Sequence, residues 1–190
     1  NKRVSESMYE LLKQLSTLRL GPVTPDTDES IRILKNELPG SNVLEFESGS
    51  THNGWIVPDN WYPTKAEIWK DSELIYDGMA SPLRVIGYSD SFSGIVNLEE
   101  LKQQVFTHNS RPDVEVYHGH LYYNVGENNW GFTASRNWLN TLTPGDYRVE
   151  LETVRESGSM KVLEYTLPGE TDDVIVINAH NCHAGQSNDD

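Results

Sequence analysis

Four apolar residues in succession, Val174, Ile175, Val176 and Ile177, run directly into a stretch dense in metal-ligating groups. An uncharged run of this length predicts a strand buried on both faces, as strands inside α/β sheets are. The composition then turns to His180, Cys182, His183, Asp189 and Asp190. Sites in open α/β sheets lie just beyond the carboxyl ends of strands, and imidazole and carboxylate are groups that divalent zinc accepts. The pattern places the chemistry of this chain in residues 180–190. A plainer reading stays open: Ser187, Asn188 and Asp189 are good helix N-cap types, and His180 then merely ends a strand. Cys182 has three readings, as a zinc thiolate, a small buried group or a lost catalytic residue.

Upstream, Val4, Met8, Leu11, Leu12, Leu15 and Leu18 recur at helical spacing and predict a first helix with one apolar stripe, Ser7 and Glu10 forming its capping box. Gly21-Pro22 breaks the chain. A second helix is expected over 25–38, with Thr24 as cap, Pro25 in the first turn, acidic residues beside the positive end of the dipole, and Ile31, Leu34 and Leu38 facing inward. Residues 43–47 alternate apolar and acidic, a strand with one wet face. From His52 to Phe132 turn signals crowd between short aromatic and β-branched runs, which predicts a β-rich module, with a helix over 98–106 capped by Asn97. A short helix is expected over 134–142. The alternation at Tyr147, Val149, Leu151 and Thr153, followed by a turn at 156–159 and the run 160–167, predicts a hairpin.

The chain resembles the amino-terminal portion of zinc aminopeptidases of the aminopeptidase Y and glutamate carboxypeptidase type. The likeness rests on the strand ending in His180 and on Asn188-Asp189-Asp190. More closely, the sequence is similar to an uncharacterised bacterial aminopeptidase-like group with a β-rich insertion ahead of the metal strand. The shared segments are Met8-Tyr9-Glu10-Leu11-Leu12, Trp55-Ile56-Val57-Pro58, Asn129-Trp130-Gly131-Phe132 and Leu167-Pro168-Gly169-Glu170.

The resemblance implies a mixed-sheet α/β fold of the zinc-aminopeptidase type, built from residues 1–52 and 133–190 and incomplete at its carboxyl end, with a β-rich domain of residues 53–132 inserted. It implies hydrolysis of a peptide or amide bond by metal-activated water, with one or two zinc ions. His180, or His183 in its place, would hold a metal, and Asp189 would bridge two. Asp190 matches a position where the family often has a cis peptide. Cys182 stands where the better-known enzymes carry an orienting Asp. Their general base and remaining ligands lie further along, so with two ligands this chain by itself is expected to bind zinc weakly or not at all. A competing reading is a non-catalytic peptide- or glycan-binding protein on the same fold, which Cys182 favours and His180 with Asn188-Asp189-Asp190 opposes. A third makes the insertion the dimerisation surface of a homo-oligomer.

The totals exclude other classes. A formal charge of −14 repels phosphate backbones and argues against nucleic acid as a partner. No run has the length of a membrane span, and no basic-then-apolar signal opens the chain. One cysteine allows no internal disulfide and fits a cytoplasmic location. Neither a P-loop nor a dinucleotide fingerprint occurs, and no serine stands in a strand–turn–helix elbow. His118 and His120 flank Gly119 and would share a strand face, where they read as surface residues rather than a chelating pair. The aromatic load of Trp55, Trp61, Tyr62, Trp69, Trp130 and Trp138 reads as core before sugar platform.

Overall fold

The computed structural model describes residues 2–119, 121 and 129–186. It divides into two compact units, residues 1–60 with 156–190, and Trp61–Arg155.

The first unit holds α1 (Lys2–Leu15), α2 (Pro25–Glu37), β1 (Asn42–Glu47), a small hairpin of β2 (Thr51–His52) and β3 (Trp55–Ile56), and a later strand (Ser159–Glu164) that pairs with β1. The link between the helices is set by a buried polar cluster. The Thr24 hydroxyl caps α2 by accepting from the Thr27 amide at 3.1 Å, the Thr27 hydroxyl donates to the Gly21 carbonyl at 2.7 Å, and the Ser30 hydroxyl donates to the Thr27 carbonyl at 2.9 Å. Each polar group lost from water thus regains a partner. The hairpin turns on Asn53 (φ 51°) and Gly54 (φ 84°), the left-handed pair that a two-residue hairpin loop requires. The Ser48 hydroxyl donates to the Pro58 carbonyl at 2.9 Å and accepts from the Gly158 amide at 3.0 Å, joining the two halves of the unit.

The second unit is built on a sheet of order β5-β4-β9-β6, from β4 (Asn60–Lys70), β5 (Glu73–Asp77), β6 (Phe92–Asn97) and β9 (Asp146–Glu156). Between β6 and β9 come α3 (Leu98–Gln104), β7 (Val105–Phe106), β8 (Phe132–Thr133) and α4 (Arg136–Leu139), with β7 and β8 paired in parallel. The strand that follows β9 and pairs with β1 is β10 (Ser159–Glu164). Asn97 closes a full capping box with Glu100 at the start of α3. Tyr147, Val149 and Leu151 of β9 are buried in one core with Trp61, Ile68, Ile86 and Phe132. The Trp61 indole donates to the Ser89 carbonyl at 2.8 Å and stacks on Tyr88, so its one polar atom is satisfied.

Several expectations are corrected. Residues 146–156 and 159–164 do not form a hairpin: β9 lies in the sheet with β4 and β6, whereas β10 runs antiparallel to β1 in the register Asn42↔Glu164 to Glu47↔Ser159. Alternation fixes which face of a strand is apolar, but the partner is whichever strand offers a matching face and free backbone groups. β9 belongs to the second compact unit, which runs from Trp61 to Arg155. Val174–Ile177 is not a buried strand. Among the described residues the run pairs with no strand, and Val174 and Ile175 are 81% and 91% exposed, Val176 and Ile177 equally so. β-Branched propensity supplies an extended backbone, yet a strand exists only where neighbours complete its ladder. In α1, Leu15 is buried and Leu11 half-buried while Met8 and Leu12 are exposed, so the predicted stripe is only partly covered among the residues with described side chains. The helix begins at Lys2, which leaves Ser7 inside it rather than at a cap.

Tyr76 makes the second unit sensitive to alkali. Its ring is packed against Trp138 and Phe132, and its hydroxyl donates to the Thr133 carbonyl. Burial above all, and then the charge of Glu115, push the phenol well above its ordinary value of 10.0, against a smaller opposing effect of Arg84. The folded state therefore keeps the proton that the unfolded chain gives up near pH ~10, so stability is fully present below that pH and falls above it. Thermal unfolding recorded from about pH 8 to about pH 11 should show the melting temperature dropping above about 10. The drop should be shallower in Tyr76→Phe; an identical slope would show that the phenol does not contribute.

Candidate metal centre

In the first unit the segment that follows the exposed run turns back on the helices. The Asn181 side-chain amide donates to the Ser30 hydroxyl of α2 at 3.0 Å and accepts, through its carbonyl oxygen, the Gln186 amide at 2.6 Å. The Gly185 amide donates to the Leu18 carbonyl at 3.1 Å, and Ala184 is buried. Gly185 and Gln186 both have positive φ, 72° and 54°, which is how the chain reverses within a few residues. Asn181 also carries the polar bond to α2 between the neighbouring histidine and cysteine, a positioning role that the sequence did not suggest.

This loop gathers three donors. The ligand atoms of His180, Cys182 and His183 all lie within 4.8 Å of one another, with His180 exposed and the other two half-buried. The two imidazoles meet edge to face, ring centroids 4.9 Å apart at 88°. A tetrahedral ion with bonds of about 2.0–2.3 Å separates its donors by about 3.5 Å, so side-chain closure of roughly 1 Å brings the three into range. Imidazole nitrogen and thiol sulfur together suit zinc or a neighbouring transition ion rather than magnesium or calcium. The donor set fits a metal.

His180 and His183, the two candidate ligands, stand in one cluster, and Cys182 lies in the same cluster. The spacing His-x-Cys-His, three donors in four residues, was the signal available for that. Asp189 and Asp190 lie outside the described residues, as does His120. His118 lies edge-on to Phe106, with ring centroids at 4.4 Å. His108 serves its own loop, its Nδ1 accepting from the Arg111 amide at 3.0 Å, and His52 rests against Phe46. Of the tryptophans, Trp61 and Trp130 are core, and Trp55 is the exposed one at 37%.

The second unit has a shallow pocket of about 250 Å³ lined by Tyr76, Arg84, Glu115 and Trp138 among others. Its charges answer each other: Arg84 Nε is 2.7 Å from Glu115 Oε1, and the guanidinium also donates to the Asp77 carbonyl at 3.0 Å. The volume falls below the usual range for a small-molecule site, so the donor cluster is the better candidate. Among the described residues no helix is long and apolar enough to cross a membrane.

The architecture is that of a mixed α/β protein, and it matches the crystal structure of a "putative peptidase" from Clostridium acetobutylicum with a TM-score of 0.75 and 24% identity, covering 86% of this chain and 38% of that one. Residues 60–154, half of the chain and nearly coincident with the second compact unit, match the family described as a domain of unknown function, DUF2172, and the chain belongs to that family. A curated relative, the C. acetobutylicum "Putative polysaccharide biosynthesis protein with aminopeptidase-like domain", is 26% identical over 183 residues, 96% of this chain. The chain spans 41% of that relative's length.

Proposed function

We propose that this chain contributes a zinc centre to an aminopeptidase-like metallohydrolase acting on peptide or amide bonds. The observation that carries the reading is the convergence of the His180 and His183 imidazoles, with the Cys182 thiol beside them, on a loop anchored to α2. The name of the relative, with its "aminopeptidase-like domain", supports the same class, and the fold shared with the "putative peptidase" is compatible with it. His180 and His183 would hold the ion, and Asp189, on the resemblance to zinc aminopeptidases, would join them as the bridging carboxylate. A zinc ion there supplies Lewis acidity to a carbonyl and lowers the pKa of water toward neutrality. The loop's own contribution is orientation: the bonds of Asn181 to Ser30 and Gln186 hold the backbone that carries the donors.

The test is hydrolysis of aminoacyl amides and short peptides by the full protein, with its zinc content measured alongside. Activity and zinc that are both lost in His180→Ala support the reading. Hydrolysis that survives a chelator and His180→Ala ends it. The anchor has its own expected result: Asn181→Ala should lower zinc affinity by on the order of tenfold, with an unchanged far-ultraviolet circular dichroism spectrum. Isothermal titration calorimetry checks it.

A further inference from the structure

We infer that Cys182 is a direct metal ligand, so that His180, Cys182 and His183 hold one divalent transition ion as a two-imidazole, one-thiolate set. The inference rests on the metal-centre reading above and deepens it, moving the thiol from a supporting place into the coordination. The Sγ atom lies within the same 4.8 Å limit as the imidazole nitrogens, so the thiol is within reach of an ion that the histidines hold. The segment that carries it is held on both sides, at Asn181 by Ser30 and at Gly185 by the Leu18 carbonyl, so the three donors belong to one fixed loop. Cys182 and His183 are half-buried, which limits competition from water for the ion, and His180 is exposed.

Three protein donors is the count that catalytic zinc sites keep for one ion. A thiolate among them favours zinc or cobalt over harder ions. The expectation of weak zinc binding counted two ligands, one of them Asp189; with three donors on one loop, the chain binds one ion stoichiometrically.

Cobalt(II) titrated into this chain under reducing, oxygen-free conditions tests the assignment. The expected result is the visible bands of a tetrahedral site, saturating at one equivalent, together with a near-ultraviolet thiolate-to-cobalt charge-transfer band, both abolished by one equivalent of zinc. Cys182→Ser should lose the charge-transfer band and bind zinc on the order of a hundredfold more weakly, with its thermal unfolding in the absence of metal unchanged. The wild-type spectrum decides by itself if that variant does not fold. Visible bands without the charge-transfer band overturn ligation by Cys182 and leave the metal centre standing. No cobalt bands at all overturn both.

Discussion

Zinc titrated into His183→Ala is expected to bind at least about a hundredfold more weakly than to the unaltered chain, because losing a ligand costs more than losing the supporting groups whose removal costs about 10–100-fold. His183 is half-buried and sits edge to face with His180 at 4.9 Å, on the loop pinned by Asn181 and Gly185. Alanine removes one of three converging donors without touching either anchor, so the loss should appear in affinity and not in folding. Competition against a chromophoric chelator measures it, with the melting temperature of the metal-free protein as the control. Affinity within a few-fold of the original would remove His183 from the site. The same change in His108, whose ring only caps its own loop, should leave zinc binding as it was.

Phe132→Ala is expected to destabilise the second unit by about 3–5 kcal/mol, the range for truncating a fully buried aromatic. Phe132 has no exposed surface and meets both Tyr76 and Trp130 at ring separations of 6.1 Å. It also belongs to β8, which pairs with β7, and it bridges to Val85, so the cavity would open where several segments join. The surroundings have little freedom to collapse into it. A Cβ added to Gly78 would stand 3.1 Å from the Phe132 ring and 2.7 Å from the Ala66 Cβ, closer than atoms pack. With roughly 4–8 °C lost per kcal/mol in a unit of this size, the melting transition should fall by on the order of 15 °C or more. Urea unfolding should show a lower midpoint at unchanged slope. A loss below about 1 kcal/mol would mean that the core repacks around the gap.

Much of the local structure was legible in the residues themselves. Thr24-Pro25 before an acidic turn marked the start of α2, and the structure has Thr24 capping it. Asn97 with Glu99 and Glu100 marked α3, whose capping box is complete. The alternation over 43–47 fell within β1. These signals act within one turn or one strand, where a hydroxyl reaches the nearest unpaired amide and a side chain points to one face or the other. The candidate site was legible in the same way. His180, Cys182 and His183 are close in the chain, so a single turn suffices to bring them together.

The exposed run at Val174–Ile177 shows where such reading stops. Its composition is that of a buried strand, and the inference from residues to extended backbone was physically sound. Burial depends on partners that the four residues do not carry, and among the described residues no strand supplies them. The predicted hairpin failed for the same reason. Both of its strands exist, yet Val149 and Leu151 joined the core that holds Ile68 and Phe132, and Met160–Glu164 found its ladder on β1, more than a hundred residues earlier.

The sequence by itself determined the caps, the faces of the strands, the acidic surface charge and the presence of three metal-type donors within four residues. Tertiary structure alone decided which strands pair, that the second unit extends to Arg155, and that the Cys182 sulfur stands level with the two imidazoles. The division has one cause. A cap or an alternation is satisfied by atoms a few residues away, whereas a sheet partner or a converging donor is chosen by the competition among distant segments for the same backbone hydrogen bonds and the same apolar surface.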